Sequence, residues 1–432
     1  MYNKDIILLF GGKNMNLLIK NILLPNGEST VNTFICVSNG IIEAIGEMPE
    51  GFVADETLDG NGMLAIPAFV NAHTHDYMTV LRGIADDLPF MKWLFEGVMP
   101  REDKMTKEQA YWSSLLGCAE MIRCGTGTFC DMHLFGGASA QAAVDCGMRA
   151  CVSRGLVGSE GGQRRIDEQL AEIEEFKGYE NISFMLAPHA IYTCDKEFLL
   201  KVSAEAKRLN LGINTHLAES VTEFEDCMKA NGCTPTEYMY NLGIFENKTI
   251  AAHCIQLTDN DIEILAKCGV SVASNPKSNL KLGNGIAPVY ALDKAGVNVC
   301  LGTDSTASNN SLNMFSELNY CALLQKGKLG DSTAIPAEKA FEFATINGAK
   351  AIGIEKLGRI EKGWKADITL LDLNVPNMIP FRNPYSMICY CADGSEVDSV
   401  ILNGRVVMKN KKLLTIDEEQ LYYNIRKMAE VI

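Results

Sequence analysis

Two histidines one residue apart are the first indication of chemistry in this sequence. His73 and His75 lie in the segment "NAHTH", after the apolar run "MLAIPAFV", although the whole chain contains only six histidines. Residues i and i+2 of a strand point to the same face of a sheet, so both imidazoles are expected on one side. The spacing predicts a pair of metal ligands if others come from elsewhere, and two ordinary polar residues at a loop are the alternative.

Two further side chains could complete such a site. His216 lies in "NTHLAES" and Asp304 in "LGTDS", each at the end of an apolar run. Three neutral imidazoles and one carboxylate suit zinc or another first-row divalent ion that keeps one position open. A metal in such a site lowers the pKa of its bound water to about 7. The four residues therefore predict a hydrolytic metal site.

A hydrolytic site also needs groups that move protons. Glu219 follows His216 by three residues and could carry a proton to a substrate nitrogen. His253, in "AAHC", could orient the attacking water or stabilise developing charge. Taken alone, Glu219 is equally compatible with a structural role as a carboxylate at a helix N-terminus.

The elements that would position these groups alternate along the middle of the chain. From about residue 68 to 353, short runs rich in Val, Ile and Phe alternate with stretches of helical periodicity, which indicates βαβ units. Eight candidate strands are "AIPAFVNAH", "TGTFCDMH", "MRACVSRG", "ISFMLAPHA", "GINTHLAE", "TIAAHC", "VSVASNP" and "VNVCLGTD". All six histidines and Asp304 fall at or just after the ends of these strands, as in the active site of a (β/α)8 barrel.

The two flanks of the chain differ from the middle. Residues 15–66 and 354–412 contain short alternating strands broken by Asn-Gly and Asp-Gly turns, and they are predicted to pair into one small β-sandwich. The predicted fold is therefore α/β, with a TIM barrel over residues 67–353 and a C-terminal helix over 413–432. Residues 1–14 are interpreted as a disordered extension.

The composition of the chain limits the classes of partner and the cell compartment that are expected. The chain has 432 residues, 47% of them hydrophobic, and a formal charge of −15, so nucleic acid and anionic membrane surfaces are excluded as expected partners. Fifteen cysteines are scattered without a C-x-x-C pair and are predicted to be reduced core residues. No run reaches the roughly 20 apolar residues of a membrane helix, and no signal peptide is recognisable. A cytoplasmic protein with a small-molecule substrate is expected.

Several segments together resemble a known family. "PAFVNAHTH", "HLAES", "AAHC", "NPKSNLKLGNGIAP" and "LGTDSTASNNSLNMF" resemble the amidohydrolase superfamily and, within it, the methylthioadenosine/S-adenosylhomocysteine deaminases, from about residue 15 to 410. The resemblance implies a distorted (β/α)8 barrel with a β-sandwich built from both chain ends. It also implies one divalent metal, with zinc favoured over Fe²⁺, Mn²⁺ and Ni²⁺. The fourth strand ends in "LAPHAIY" without a lysine to bridge two ions, which favours a mononuclear site.

The resemblance assigns roles to the metal site. It implies the ligands His73, His75, His216 and Asp304, the set already proposed from spacing. It further implies that activated water attacks the amino-bearing carbon of an adenine ring while Glu219 protonates the neighbouring ring nitrogen. His253 and Asp304 would handle the proton of the water, and ammonia would leave.

The same resemblance implies contacts with a nucleoside substrate. Trp93 and Glu102, in "KWLFEGVMPRED", match residues that lie against the nucleoside, with Glu102 on the ribose hydroxyls; a core aromatic is the alternative for Trp93. Arg154 and His189 match groups that lie near the ribose and its 5′ substituent. Ser308 matches a position near the base. For a homocysteine carboxylate, the loop "GSEGGQRRIDEQ" leaves Arg164 or Arg165; Arg165 is favoured because it precedes the apparent helix "IDEQLAEIEEF".

Alternative functions use the same fold. Guanine, another aminated heterocycle, or a triazine losing chloride could be the substrate, and hydrolysis of an amide is a further alternative that the missing lysine disfavours. A scaffold without activity is disfavoured because every ligand is present. The H-x-E and P-C-x-x-C motifs of cytidine deaminases are absent from the sequence. A homo-oligomer is common among similar proteins.

Overall fold

The computed structural model describes residues 15–158 and 161–429. The extension predicted for residues 1–14 lies outside the described residues. Two sheets, each of nine strands within the described ranges, organise the chain.

The sheet that carries the predicted site is entirely parallel. Its strands are Phe69–His75, Thr126–His133, Arg149–Leu156, Ile182–Pro188, Gly212–Leu217, Thr249–His253, Ser271–Ser274, Asn298–Leu301 and Asp304–Ser305. Each of the first seven pairs with the next strand in sequence. Asp304–Ser305 follows the eighth after Gly302 and Thr303 and pairs with Phe69–His75, so the sheet returns to its first strand. The architecture is a TIM-like barrel, as the strand pattern predicted.

The predicted first and last barrel strands are each divided. Sequence predicted one strand over residues 65–73, but Met63–Pro67 pairs with Ile368–Asp372 in the other sheet, and only Phe69–His75 joins the barrel. The eighth is interrupted at Gly302, where a Cβ would lie 2.6 Å from the carbonyl oxygen of His73. A glycine is therefore needed where the closing segment crosses the first strand.

Helices surround the barrel, and several begin with side-chain caps. Thr106, Thr234 and Thr258 each start a helix with a reciprocal capping box, which satisfies amide groups that the helix leaves free. The α-helices are Phe90–Lys92, Met99–Glu102, Lys107–Arg123, Gly136–Cys146, Gly162–Glu175, Lys196–Leu209, Val221–Asn231, Pro235–Asn241, Asp259–Cys268, Pro276–Lys281, Val289–Lys294, Met314–Leu329, Ala337–Phe343, Ile346–Ile352, Pro384–Tyr390 and Glu418–Ala429. Trp93–Val98 is a π-helix, and Asp76–Leu81, Ile244–Glu246 and Pro376–Met378 are 3₁₀-helices.

One helix begins earlier than the sequence suggested. Gly162–Glu175 starts four residues before Ile166, the first residue of the predicted helix, so Arg165 lies within its first turn rather than before it. The reason is that Gly161, with φ of 80°, ends the preceding loop and lets the chain turn directly into the helix.

The second sheet is built from both ends of the chain. Its strands are Asn16–Asn26, Ser29–Ser38, Ile41–Ile45, Glu56–Asp59, Met63–Pro67, Ile368–Asp372, Val397–Leu402, Arg405–Lys409 and Lys412–Leu413. The antiparallel pair Met63–Pro67 and Ile368–Asp372 joins the two halves. The flanks thus meet in one sheet, as predicted, and its description as a sandwich stays a prediction.

The barrel has its own apolar interior beneath the strand ends. Val70, Cys130, Met185, Ile250 and Cys300 pack there with neighbouring small residues, and all are buried. Burial of this apolar surface stabilises the strands whose far ends carry the polar site. Among residues 15–158 and 161–429, every helix is too short or too polar to cross a bilayer.

Candidate metal centre and active site

The carboxyl ends of the barrel strands bring distant residues together. His73 and His75 come from the first strand, His216 from the fifth, His253 from the sixth, and Asp304 from the closing segment. All five residues are buried, with exposures of 7% or less. The parallel arrangement explains this convergence, because every strand ends on the same side of the barrel.

The donor atoms of these residues form two overlapping groups, each within 4.8 Å: His73, His75 and Asp304, and His73, His216 and His253. The Nε2 atoms of His75 and His216 are 3.3 Å apart, and Asp304 Oδ1 lies 3.4 Å from His75 Nε2 and 3.6 Å from His73 Nε2. A tetrahedral ion with ligands at about 2.0–2.1 Å would separate its donor atoms by about 3.4 Å. The donor atoms therefore have the spacing of a zinc-type site.

Hydrogen bonds on the outer side fix the orientation of two imidazoles. His75 Nδ1 is 2.8 Å from the Met132 carbonyl oxygen, and His216 Nδ1 is 2.8 Å from the His189 carbonyl oxygen. Each Nδ1–H must donate to its carbonyl, so each Nε2 keeps a free lone pair. Such outer-side bonds are typical of metal-ligating histidines.

The third imidazole and the pKa values agree with this arrangement. Neither ring nitrogen of His73 has a hydrogen-bond partner among the described residues, although the side chain is fully buried. Burial lowers the pKa of His73, and it lowers that of His75 to about 4, so both rings are neutral at pH 7. Neutral, buried and unpaired imidazole nitrogens beside a carboxylate are the donors that a divalent metal ion requires.

Glu219 and His253 lie beside the four converging donors. His253 Nε2 is 3.8 Å from Glu219 Oε2, and both side chains are buried. Burial raises the pKa of Glu219 to about 7, which suits a group that exchanges protons at neutral pH. The alternative role for Glu219 was a carboxylate at a helix N-terminus. Glu219 lies one residue before Ser220, the N-cap of the helix Val221–Asn231, and therefore outside the first turn of that helix.

The backbone at this site departs from ordinary geometry. Ala218, His253 and Asp304 have φ values of 49°, 72° and 57°, in a region that non-glycine residues rarely adopt. Strain of this kind persists only where surrounding structure holds it, and it concentrates at functional sites. Two of the three positive φ values thus fall on predicted site residues, His253 and Asp304, and the third falls on the residue before Glu219.

Trp93 and Glu102 lie on the segment that follows the first strand. Trp93 is buried in an apolar cluster with Phe90 and Leu94. Its indole Nε1–H donates to the Ala307 carbonyl at 3.2 Å, which links it to the chain just after the strand Asp304–Ser305. Glu102 is buried and accepts a hydrogen bond from Tyr77. Sequence reasoning missed Tyr77, whose position two residues after His75 was the available signal.

The predicted arginines have internal partners. Arg154 pairs with Glu168, lies 3.6 Å from Glu172, and donates to the Leu134 carbonyl. Arg165 donates to the Gly155 carbonyl at 2.7 Å. Arg164, the other candidate, is an exposed residue. Their contact with substrate stays a prediction.

His189 and Ser308 lie next to the metal donors. The ring of His189 is 4.6 Å from that of His216, and its Nδ1 is 3.0 Å from Thr193 Oγ1. Ser308 Oγ donates to Asp304 Oδ2 at 2.7 Å, so its hydroxyl holds the carboxylate on the side away from the imidazoles. The structure thus shows a contact for Ser308 that sequence reasoning did not predict.

A second buried cluster lies behind the first strand and was not predicted from sequence. Asp76, Asp131 and His133 have donor atoms within 4.8 Å of one another. However, the Phe135 amide donates to His133 Nδ1 at 2.6 Å, so the neutral ring carries its proton on Nε2. His133 then has no lone pair left for an ion, and the cluster lacks the donor set of the first site.

The sequence matches a known protein family over most of its length. The model of the Amidohydrolase family matches residues 64–407. The chain belongs to the amidohydrolase family. Relatives named 5-methylthioadenosine/S-adenosylhomocysteine deaminase include one from Caldicellulosiruptor saccharolyticus, 42% identical over 97% of this chain and 99% of its own. Another, from Pelotomaculum thermopropionicum, is 44% identical over 94% of this chain and 95% of its own.

Solved structures agree with the fold of this amidohydrolase. An adenosine deaminase from Xanthomonas campestris with bound zinc has a TM-score of 0.91 at 31% identity, covering 97% of this chain and 99% of that one. An atrazine chlorohydrolase from Arthrobacter aurescens, complexed with zinc, has a TM-score of 0.88 at 22% identity over 96% and 100% of the two chains, which bears on the fold alone. The donor set of this amidohydrolase is one for a divalent metal ion.

Proposed function

We propose that this chain is a metal-dependent aminohydrolase that deaminates the adenine ring of a nucleoside. The substrates proposed are 5′-methylthioadenosine, S-adenosylhomocysteine and adenosine, with ammonia and the inosine analogue as products. The observation that carries the proposal is the convergence of neutral imidazoles and a carboxylate at the barrel mouth, with Glu219 and His253 beside them. The names of relatives more than 40% identical over nearly the whole chain support the substrate class.

The proposed metal is a single zinc ion, with Fe²⁺, Mn²⁺ and Ni²⁺ as alternatives. His73, His75, His216 and Asp304 would hold it, since their donor atoms lie 3.3 to 3.6 Å apart along three measured edges. When bound, the metal supplies a Lewis acid that lowers the pKa of water to about 7. The remaining chemistry belongs to the side chains around it.

Glu219 and His253 are the proposed proton carriers. Glu219, with its pKa raised to about 7 by burial, is partly protonated at neutral pH and can give a proton to a ring nitrogen and regain one from water. His253 Nε2 lies 3.8 Å from Glu219 Oε2, and we propose that it orients the attacking water. Asp304 is the proposed acceptor of the remaining proton, while Ser308 holds its other oxygen.

The substrate is proposed to lie between the metal donors and the segment that contains Trp93 and Glu102. Glu102 would accept hydrogen bonds from ribose hydroxyls, and Trp93 would cover the nucleoside. His189, beside His216, would contact the ribose, and Ser308 would lie near the base. Arg154 and Arg165 are the proposed contacts for the 5′ substituent.

Domain organisation is part of the proposal. Residues 15–66 and 354–412 would form a β-sandwich satellite and residues 67–353 the catalytic barrel. The helix predicted over 413–432 begins only at Glu418, because Leu413 belongs to the strand Lys412–Leu413, and it is described as far as Ala429. The joint sheet of both chain ends supports this division. The strand Met63–Pro67 ends at the first residue of the proposed barrel.

Ammonia release is the experiment that tests the function. The zinc-reconstituted protein is offered 5′-methylthioadenosine, S-adenosylhomocysteine, adenosine, guanine and a chlorinated triazine in parallel, with metal-free protein as the control. Metal-dependent ammonia release from an adenine nucleoside is expected. Turnover of guanine alone, or chloride release from the triazine alone, would show that the proposed substrate is wrong and that the proposed metal site is right.

A further inference from the structure

One short segment contacts three members of the proposed site. Asn275–Asn284 follows the seventh barrel strand and includes the helix Pro276–Lys281. Its side chains reach His253, Glu219 and Asp304, three groups from three different strand ends. A single segment therefore determines how these groups stand relative to one another.

Asn279 fixes the imidazole of His253. Asn279 Oδ1 lies 2.8 Å from His253 Nδ1, and both residues are buried. Because a carbonyl oxygen only accepts, Nδ1 must carry the proton, and the ring then directs Nε2 towards Glu219. Without this acceptor the neutral ring could carry its proton on Nε2 instead, or the ring could rotate. The side-chain Nδ2 of Asn275 lies 3.3 Å from the same Nδ1 and could only donate to it, so the shorter contact with Asn279 Oδ1 decides where the proton lies.

Asn284 fixes the carboxylate of Glu219. Its Nδ2 donates to Glu219 Oε1 at 3.1 Å and leaves Oε2 as the oxygen that faces His253. Asn284 is itself held in position, because Gln256 Nε2 donates to the backbone carbonyl oxygen of Asn284 at 2.7 Å. The amide of Asn284 also donates to the Asn279 carbonyl at 2.9 Å. The two asparagines are thus one hydrogen-bonded unit.

We propose that Asn279 and Asn284 are positioning residues that hold the His253 imidazole in one tautomer and the Glu219 carboxylate in one orientation. The proposal deepens the proposed function and rests on it for its kinetic consequence. Neither asparagine offers a donor atom to the candidate metal groups, although His253 belongs to the group that also contains His73 and His216, so metal content is measured together with kcat. Positioning of this kind changes kcat more than KM, because it acts on the reacting geometry.

The kinetic test uses Asn279→Leu and Asn284→Leu with 5′-methylthioadenosine. Each substitution is expected to lower kcat about 10- to 100-fold with KM within about threefold and metal content unchanged. Asn279→Asp, which retains an oxygen acceptor, should recover most of kcat. Asn247→Leu is the matched control, because Asn247 is buried and bonds Ser203 and the Ile244 carbonyl. It should lower stability without lowering kcat.

Double variants separate positioning from general damage. In a His253→Ala background, Asn279→Leu should change kcat less than about threefold, and Asn284→Leu should behave likewise in a Glu219→Ala background. Equal losses in the parent and in these backgrounds would overturn the proposal. So would a rise in KM with kcat unchanged, or a loss of metal from either asparagine variant.

A second readout does not depend on substrate. With ¹⁵N-labelled histidine, His253 can be assigned by comparison with His253→Gln, since the chain has only six histidines. The expected result is a single Nδ1–H tautomer in the unsubstituted protein and a tautomer mixture or Nε2–H in Asn279→Leu. An unchanged His253 spectrum would overturn the proposal for Asn279, even if none of the nucleosides is a substrate. An altered spectrum with no nucleoside turnover would locate the failure in the proposed function.

Discussion

His75 and His216 lie with their ring planes nearly parallel, at an interplanar angle of 8°, and with their Nε2 atoms 3.3 Å apart. Both rings direct Nδ1–H outwards, to the Met132 and His189 carbonyls. Two lone pairs at this distance repel each other unless a cation or proton lies between them. The low pKa of His75, about 4 because of burial, argues against a proton. A divalent metal ion held by both Nε2 atoms would remove this repulsion.

Removal of one imidazole should therefore remove the metal. His216→Ala, and equally His73→Ala or Asp304→Ala, is expected to lose both bound metal and turnover, measured by elemental analysis and ammonia release. His133→Gln is the matched histidine control and should keep its metal, since His133 Nδ1 is occupied by the Phe135 amide. Full activity in any of the three ligand variants would contradict the assignment.

Glu219→Gln should separate metal binding from catalysis. A glutamine keeps the shape of the side chain but cannot exchange a proton, so kcat is expected to fall by about 10²- to 10⁴-fold while metal content stays constant. The measurement is kcat for 5′-methylthioadenosine together with zinc stoichiometry. A rate equal to that of the unsubstituted enzyme would remove Glu219 from the mechanism.

Neighbouring arginines provide a test of carboxylate recognition. Arg165→Ala is expected to raise KM for S-adenosylhomocysteine about 10-fold or more while KM for 5′-methylthioadenosine, which has no carboxylate, changes little. Arg164→Ala is the control, because its side chain is 72% exposed and pairs with Glu168. If both arginine variants leave the ratio of the two KM values unchanged, recognition of the carboxylate lies elsewhere.

Glu102 should discriminate ribose from deoxyribose. Its carboxylate is buried and accepts a hydrogen bond from Tyr77, which leaves a second oxygen for a substrate hydroxyl. Glu102→Ala is expected to raise KM for adenosine about 10-fold and to change KM for 2′,3′-dideoxyadenosine much less. Equal effects on both nucleosides would show that Glu102 has a structural role and does not bind the ribose hydroxyls.

Stability should depend on the protonation of Glu317. This side chain is fully buried and accepts from the Lys277 amide and Asn309, and burial raises its pKa from 4.5 to about 7. Between these pH values the folded state retains a proton that the unfolded state has lost. The contribution to stability is therefore full below about pH 4.5 and is lost as pH rises through 7.

Glu317→Gln, which mimics the protonated form, should remove this dependence. Relative to the unsubstituted protein, its free energy of unfolding should rise by about 3 kcal/mol between pH 4.5 and 8, as measured by urea unfolding. Glu174→Gln, at an exposed glutamate, should follow the unsubstituted curve. Parallel curves for Glu317→Gln and the unsubstituted protein would contradict the assigned pKa.

The sequence alone determined the barrel and the position of its chemistry. Strands alternate with helices along the chain, and the two-residue repeat of a strand placed His73 and His75 on one face. Both are local properties, readable from neighbouring residues. Local pattern was insufficient at the first strand, where a single apolar run serves two sheets, and at Gly162, where a glycine turn started a helix early.

Only the tertiary structure decided which groups act together. His75 and His216 are 141 residues apart in sequence, and their 3.3 Å approach depends on closure of the whole barrel. The outward hydrogen bonds that fix the tautomers, and the contacts of Asn279 and Asn284, likewise join residues from different strand ends. No local pattern encodes these distances, because they arise from the packing of all the strands around one core.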